Sequence, residues 1–104
     1  MIDLITLYKN NSISEAIVFG GLEPFDSWDD MFSFIQVIRH ETLDDIVIYT
    51  GYREEEIEDK LSVLKQIPNI VIKFGRFIPN RDKRYDKILG LQLASDNQYA
   101  RRIS

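Results

Sequence analysis

The residues of this chain that could do chemistry gather where apolar runs end. In Val18-Phe19-Gly20-Gly21-Leu22-Glu23-Pro24-Phe25 an apolar segment stops at two glycines and is followed by a carboxylate just before a proline. Glycine lets the backbone approach a ligand with no Cβ in the way, and Pro24 confines Glu23 to extended conformations, so the carboxylate is aimed with little entropic loss. A fixed carboxylate beside open backbone carbonyls suits a cationic amine. Two further apolar runs end alike, in Thr50-Gly51-Tyr52 and in Phe74-Gly75-Arg76. Glycine pairs after strands also serve tight turns with no ligand, and that reading stands beside the first.

Other chemistries find less support. The pattern is not G-x-G-x-x-G and no Walker-type lysine follows, so neither a dinucleotide nor a nucleoside triphosphate site is indicated. His40, the single histidine, falls at a polar helix end, where it suits the helix dipole better than a role as base or ligand. Asp29-Asp30 and Glu54-Glu55-Glu56 fit solvated first turns of helices, and no residue is assigned as catalytic or as a metal ligand. With no cysteine there is no disulfide, no thiolate nucleophile and no cysteine-held metal centre within this chain.

The elements that must position these residues follow from periodicity. Ala16-Ile17-Val18-Phe19, Ile46-Val47-Ile48-Tyr49 and Ile70-Val71-Ile72-Lys73-Phe74 are short continuous apolar runs, the mark of strands covered on both faces. Trp28, Met31, Phe32, Ile35 and Ile38 form a helical stripe, with Asp26 or Ser27 as its cap. Arg53 to Gln66 reads as a second helix, burying Ile57, Leu61 and Leu64, and Pro68-Asn69 stops it. Strand, helix, strand, helix, strand describes consecutive βαβ crossovers, so the fold class is α/β with a parallel βαβαβ sheet. Ligands of such sheets bind beyond the carboxyl ends of the strands, where the three glycine exits define one rim. Residues 2 to 8 read as the end of an amphipathic helix and Asn10-Asn11-Ser12 as a turn. Near the C-terminus Gly90 to Ala94 reads as a short strand and Ser95-Asp96-Asn97-Gln98 as a turn.

The bulk properties are those of one domain. A chain of 104 residues with 44% hydrophobic and 12% aromatic content can fill a single core. No apolar run approaches the roughly 20 residues of a membrane span, and the first residues lack a secretory pattern, which together lead to the expectation of a cytoplasmic protein with no membrane partner. Charge is unevenly placed: residues 1 to 72 carry 5 basic and 14 acidic side chains, residues 73 to 104 carry 8 and 3. The basic third lacks an ordered aromatic platform, so a solvated face or a match to the acidic part is preferred to nucleic-acid binding.

Taken in order, the motifs resemble the radical S-adenosylmethionine superfamily, and within it the activating-enzyme branch typified by the anaerobic ribonucleotide reductase activating protein. Gly20-Gly21-Leu22-Glu23-Pro24-Phe25 resembles that family's GGEP motif with Leu22 inserted. Ile46 to Tyr52 resembles the strand end that follows, and Val71 to Ile78 with Ala94-Ser95-Asp96-Asn97-Gln98 resembles the late strand, turn and terminal motif. The resemblance implies a fragment of a partial (β/α) barrel that sets S-adenosylmethionine against a [4Fe-4S] cluster for reductive cleavage to a 5′-deoxyadenosyl radical, the cofactors supplying the chemistry. Gly20, Gly21 and Glu23 would then hold the methionyl amine, Thr50 and Gly51 would line the cofactor edge, and Ser95 and Asn97 would close the far end of the sheet. The family's Cys-x-x-x-Cys-x-x-Cys loop is missing. Three thiolates hold three irons and leave the fourth for S-adenosylmethionine, so the cluster of the full-length family has no ligands here.

Three functions are therefore expected in turn. The first is a truncated single domain, residues 1 to 104, the C-terminal part of a radical S-adenosylmethionine activating enzyme and inactive alone. Its implied partners are a protein substrate of the glycyl-radical type or a second copy at the exposed sheet edge. The second is a non-enzymatic α/β interaction module, or a degenerate homologue that has lost the cluster. The third is an unrelated flavodoxin-like binding domain.

Overall fold

The computed structural model describes Leu4–Leu7 and residues 16–104. Strands β1 (Leu4–Leu7), β2 (Ala16–Phe19), β3 (Asp45–Tyr49), β4 (Ile70–Phe74) and β7 (Tyr99–Arg102) form one sheet in the order β1-β2-β3-β4-β7, and β5 (Arg84–Asp86) pairs with β6 (Leu91–Leu93) in a separate hairpin. The expected parallel unit is its centre. β2 runs parallel to β3 with Ile17 beside Ile46, and β3 parallel to β4 with Ile48 beside Ile72. Helix α1 (Trp28–Glu41) makes the first crossover, and α2 (Glu58–Leu64) the second.

The core lies between these helices and one face of the sheet. Strand periodicity sends Phe19, Ile46, Ile48, Ile70, Ile72 and Phe74 to that face, where they meet Met31 and Ile35 of α1 and Leu61 and Leu64 of α2. Trp28, Phe32 and Ile38 pack against the same cluster, so the stripe faces the sheet as its spacing requires. Each such buried side chain stabilises the fold by about 1.5–3 kcal/mol. The opposite face holds a smaller cluster of Val47, Val71 and Ala100, partly covered by Leu89 from the β5–β6 hairpin. Buried Asp86 holds that hairpin in place: one carboxylate oxygen accepts from the Ile88 and Leu89 N–H groups and the other from Ala100 N–H at 2.7 Å.

Several expectations need correction. Leu4–Leu7 is a strand antiparallel to β2, not a helix end; pairing with an otherwise open edge outweighs a short helical spacing, and Ile5 and Thr6 are β-branched. Ile2, Tyr8 and the turn at Asn10-Asn11-Ser12 lie outside the described residues. The sheet is mixed rather than all parallel, because β7, unforeseen in the sequence, runs antiparallel to β4. The strand expected at Gly90–Ala94 is β6, but its partner is β5, in a stretch read as loop, rather than the main sheet. The helix expected from Arg53 to Gln66 is a short 3-10 turn, Glu54–Glu56, followed by α2. Ser27 takes the N-cap position of α1 without a side-chain capping bond, and Asp26 instead accepts from Tyr52 Oη–H at 2.6 Å. No helix among the described residues is long and apolar enough to cross a membrane.

Candidate functional site

Glu23 is the point where two strand exits are tied together. Its Oε2 accepts from the Thr50 hydroxyl at 2.7 Å and from Phe25 N–H at 3.1 Å, and its Oε1 accepts from Gly51 N–H at 2.8 Å. The extended backbone enforced by Pro24 makes this possible, since it turns the carboxylate back over the 3-10 turn Pro24–Ser27 and toward the end of β3. Buried Thr50 completes a relay by accepting from Tyr52 N–H at 3.0 Å. A carboxylate has about four lone-pair directions, and three are filled by this chain. Among the described residues no donor takes the remaining direction, on Oε1.

The glycines have separate roles. Gly21 has φ 79° and makes the turn after β2, a conformation that side chains rarely adopt. Gly20 has no such conformation, and a Cβ there would meet nothing within 4 Å although the residue is buried. Packing among the described residues does not explain that glycine. A Cβ at Gly51 would make only ordinary van der Waals contact, with Arg76 Cβ at 3.4 Å and Glu23 Oε1 at 3.6 Å.

Gly21, Glu23, Thr50 and Gly51 border one open cavity of about 380 Å³ beyond the carboxyl ends of β3 and β4. Pro24, Phe77 and the third glycine exit, Gly75-Arg76, border it as well, together with Tyr49, Lys73 and Gln98, which were not foreseen as site residues. Lys73 Nζ lies 5.1 Å from the centre of the Tyr49 ring and 3.4 Å from the Gly75 carbonyl oxygen, and no carboxylate of the described residues is within 4.0 Å of it. Desolvation by burial lowers its pKa from the usual lysine value, against an opposing pull from Glu23. The sequence did hold a signal, because a lysine inside an otherwise apolar strand is rarely placed there for solvation alone.

Ser95 and Asn97 stand apart. Ser95 is fully buried and its Oγ accepts from Ile78 N–H at 3.3 Å, so it braces the chain under the turn and does not line the cavity. Asn97 donates from Nδ2 to the Arg76 carbonyl at 3.0 Å, while its buried Oδ1 has no partner among the described residues. It borders a neighbouring hollow of about 400 Å³, with Arg53, Phe74 and Tyr99, that shares Gly51, Gly75 and Arg76 with the first. The cavity thus brings together four of the seven expected residues, Gly21, Glu23, Thr50 and Gly51, while Gly20 is buried, Asn97 borders the neighbouring hollow and Ser95 lies outside both.

A family model described as a 4Fe-4S single cluster domain matches residues 1–99. The chain belongs to that family. Comparison with curated proteins gave no match, and comparison with solved structures gave none either. For a 4Fe-4S single cluster domain the donor set is the surprise. The chain has no cysteine, and among the described residues no group of three or more His, Cys, Asp or Glu side chains is placed to hold a metal ion. Iron–sulfur clusters are held chiefly by thiolates, so the residues present do not fit the group that the family name implies.

Proposed function

We propose that this member of the 4Fe-4S single cluster domain family binds and positions S-adenosylmethionine at the strand-exit rim, with Glu23 receiving the methionyl amine beside Gly20 and Gly21. The observation that supports the reading is the Glu23 carboxylate, locked by Thr50, Gly51 and Phe25 yet retaining, at an open cavity, one acceptor direction that no described residue takes. Such preorganisation lowers the ordering cost of binding. The proposal extends to binding and positioning, not to cleavage, for which the chain supplies no cluster ligands. Its placement in the activating-enzyme branch, with a partial barrel and a glycyl-radical type of protein partner, rests on the motif resemblance alone.

A titration of S-adenosylmethionine followed through backbone amide resonances tests the reading. The amides of Gly20, Gly21 and Gly51 are expected to shift in a saturable way, and unchanged resonances at high ligand would overturn it. A second reading has its own support, since three bonds already satisfy Glu23 and could make it a purely internal clamp in a non-enzymatic interaction module. Under that reading the same titration is silent and every effect of changing Glu23 is an effect on stability.

A further inference from the structure

Two surfaces of the molecule, far from the strand exits in sequence, carry exposed apolar groups set among charges of opposite sign. On α1, Asp30, Phe34, Val37 and Glu41 follow one another by a helical turn each, so they share one line on the side turned away from the sheet. All four are exposed, two apolar side chains between two carboxylates. On the β5–β6 hairpin, Lys83, Arg84, Tyr85, Lys87 and Ile88 are exposed as well, and the one carboxylate from Lys83 to Leu91, that of Asp86, is buried. None of these exposed charges is in an ion pair among the described residues.

We propose that the hairpin of one copy of this chain docks on α1 of a second copy, Tyr85 and Ile88 against Phe34 and Val37, with Lys83, Arg84 and Lys87 facing Asp30 and Glu41. Val37 and Tyr85 are each 62% exposed, so both have surface to lose to a partner. The same match cannot be made inside one chain. Helix α1 covers one face of the sheet, and the hairpin, anchored through Asp86 and Leu89, lies on the other. Apolar burial supplies the affinity of such a contact, and complementary charge selects the partner and its register. Because the two surfaces differ, the contact is heterologous, and copies add head to tail rather than as a two-fold pair. None of these residues borders either cavity at the strand exits, so the contact stands independently of any ligand at the rim.

Sedimentation velocity of the full chain over a concentration series, at about 0.01 M and about 1 M salt, tests the proposal. Two charge-reversed variants accompany it, Asp30→Lys with Glu41→Lys and Lys83→Glu with Lys87→Glu. All four positions are exposed, and far-ultraviolet circular dichroism checks each fold. The parent is expected to form species heavier than the monomer that grow with concentration and weaken at high salt. Either variant alone should associate at least about a hundredfold more weakly, since like charges then face each other. Mixing the two variants in equal amounts should restore association, because each presents the charges that the other now requires. A parent that stays monomeric throughout overturns the proposal. Association of parental strength in either variant also overturns it, by placing the contact elsewhere, and so does a mixture that remains as weak as its components.

Discussion

Glu23 accepts from three donors, which makes substitution there more consequential than its partial exposure indicates. In Glu23→Gln one oxygen becomes an NH2 group, and whichever way the amide turns it confronts an N–H, either of Gly51 or of Phe25. Thermal or urea unfolding is expected to show a loss of about 1–3 kcal/mol, the cost of a donor left without an acceptor. A variant as stable as the parent would mean that the three bonds are not maintained in solution. A second residue-scale prediction concerns Tyr99, whose pKa is pushed up to about 12, first by burial and then by its hydrogen bond to Glu54. A group with a raised folded pKa lends stability below its unfolded value of roughly 10 and loses it as pH rises through the folded value. Spectrophotometric titration should find a tyrosine ionising near pH 12, absent from Tyr99→Phe, with the fall in stability between about pH 10 and 12 steeper in the parent than in the variant, which keeps the raised Tyr52.

At the scale of elements, α1 separates what faces the sheet from what faces solvent. Ile35 is fully buried, so Ile35→Ala is expected to cost about 2–5 kcal/mol by unfolding, whereas Val37→Ala, at a position 62% exposed, should stay within about 0.5 kcal/mol. Comparable losses at both positions would refute the assigned face. This amphipathic pattern was fully legible in the sequence, as were the three parallel strands, because continuous apolar runs and a 3.6-residue stripe are local signals. The flanking strands were not. Tyr99-Ala100-Arg101-Arg102 has polar and apolar residues in no clear alternation, and its identity as β7 comes from pairing with β4, about thirty residues away. The rim shows the same division: glycine exits and the restrained Glu23 were readable from spacing, while Lys73, Tyr49 and Gln98 joined the cavity only through the register that sets β3 beside β4 and the turn that precedes β7.

For the molecule as a whole, the main sheet and the β5–β6 hairpin are separable units joined chiefly through Asp86, with Leu89 as an apolar support. In Asp86→Ala, hydrogen exchange is expected to speed up through Arg84–Asp86 and Leu91–Leu93 while β3 and β4 keep their protection. Loss of protection everywhere would show instead that the two units unfold as one. The Asp86 bond to Ala100 has another effect. Ala100 belongs to the outermost strand, and an N–H there is the kind of group on which a foreign chain could splice itself, molecule after molecule. The carboxylate occupies that donor, and both Asp86 and Ala100 are buried where the hairpin meets the strand. Removing the side chain bares that donor as well as releasing the hairpin, so concentrated Asp86→Ala protein is expected to turn cloudy and bind amyloid dyes at concentrations where the parent stays clear.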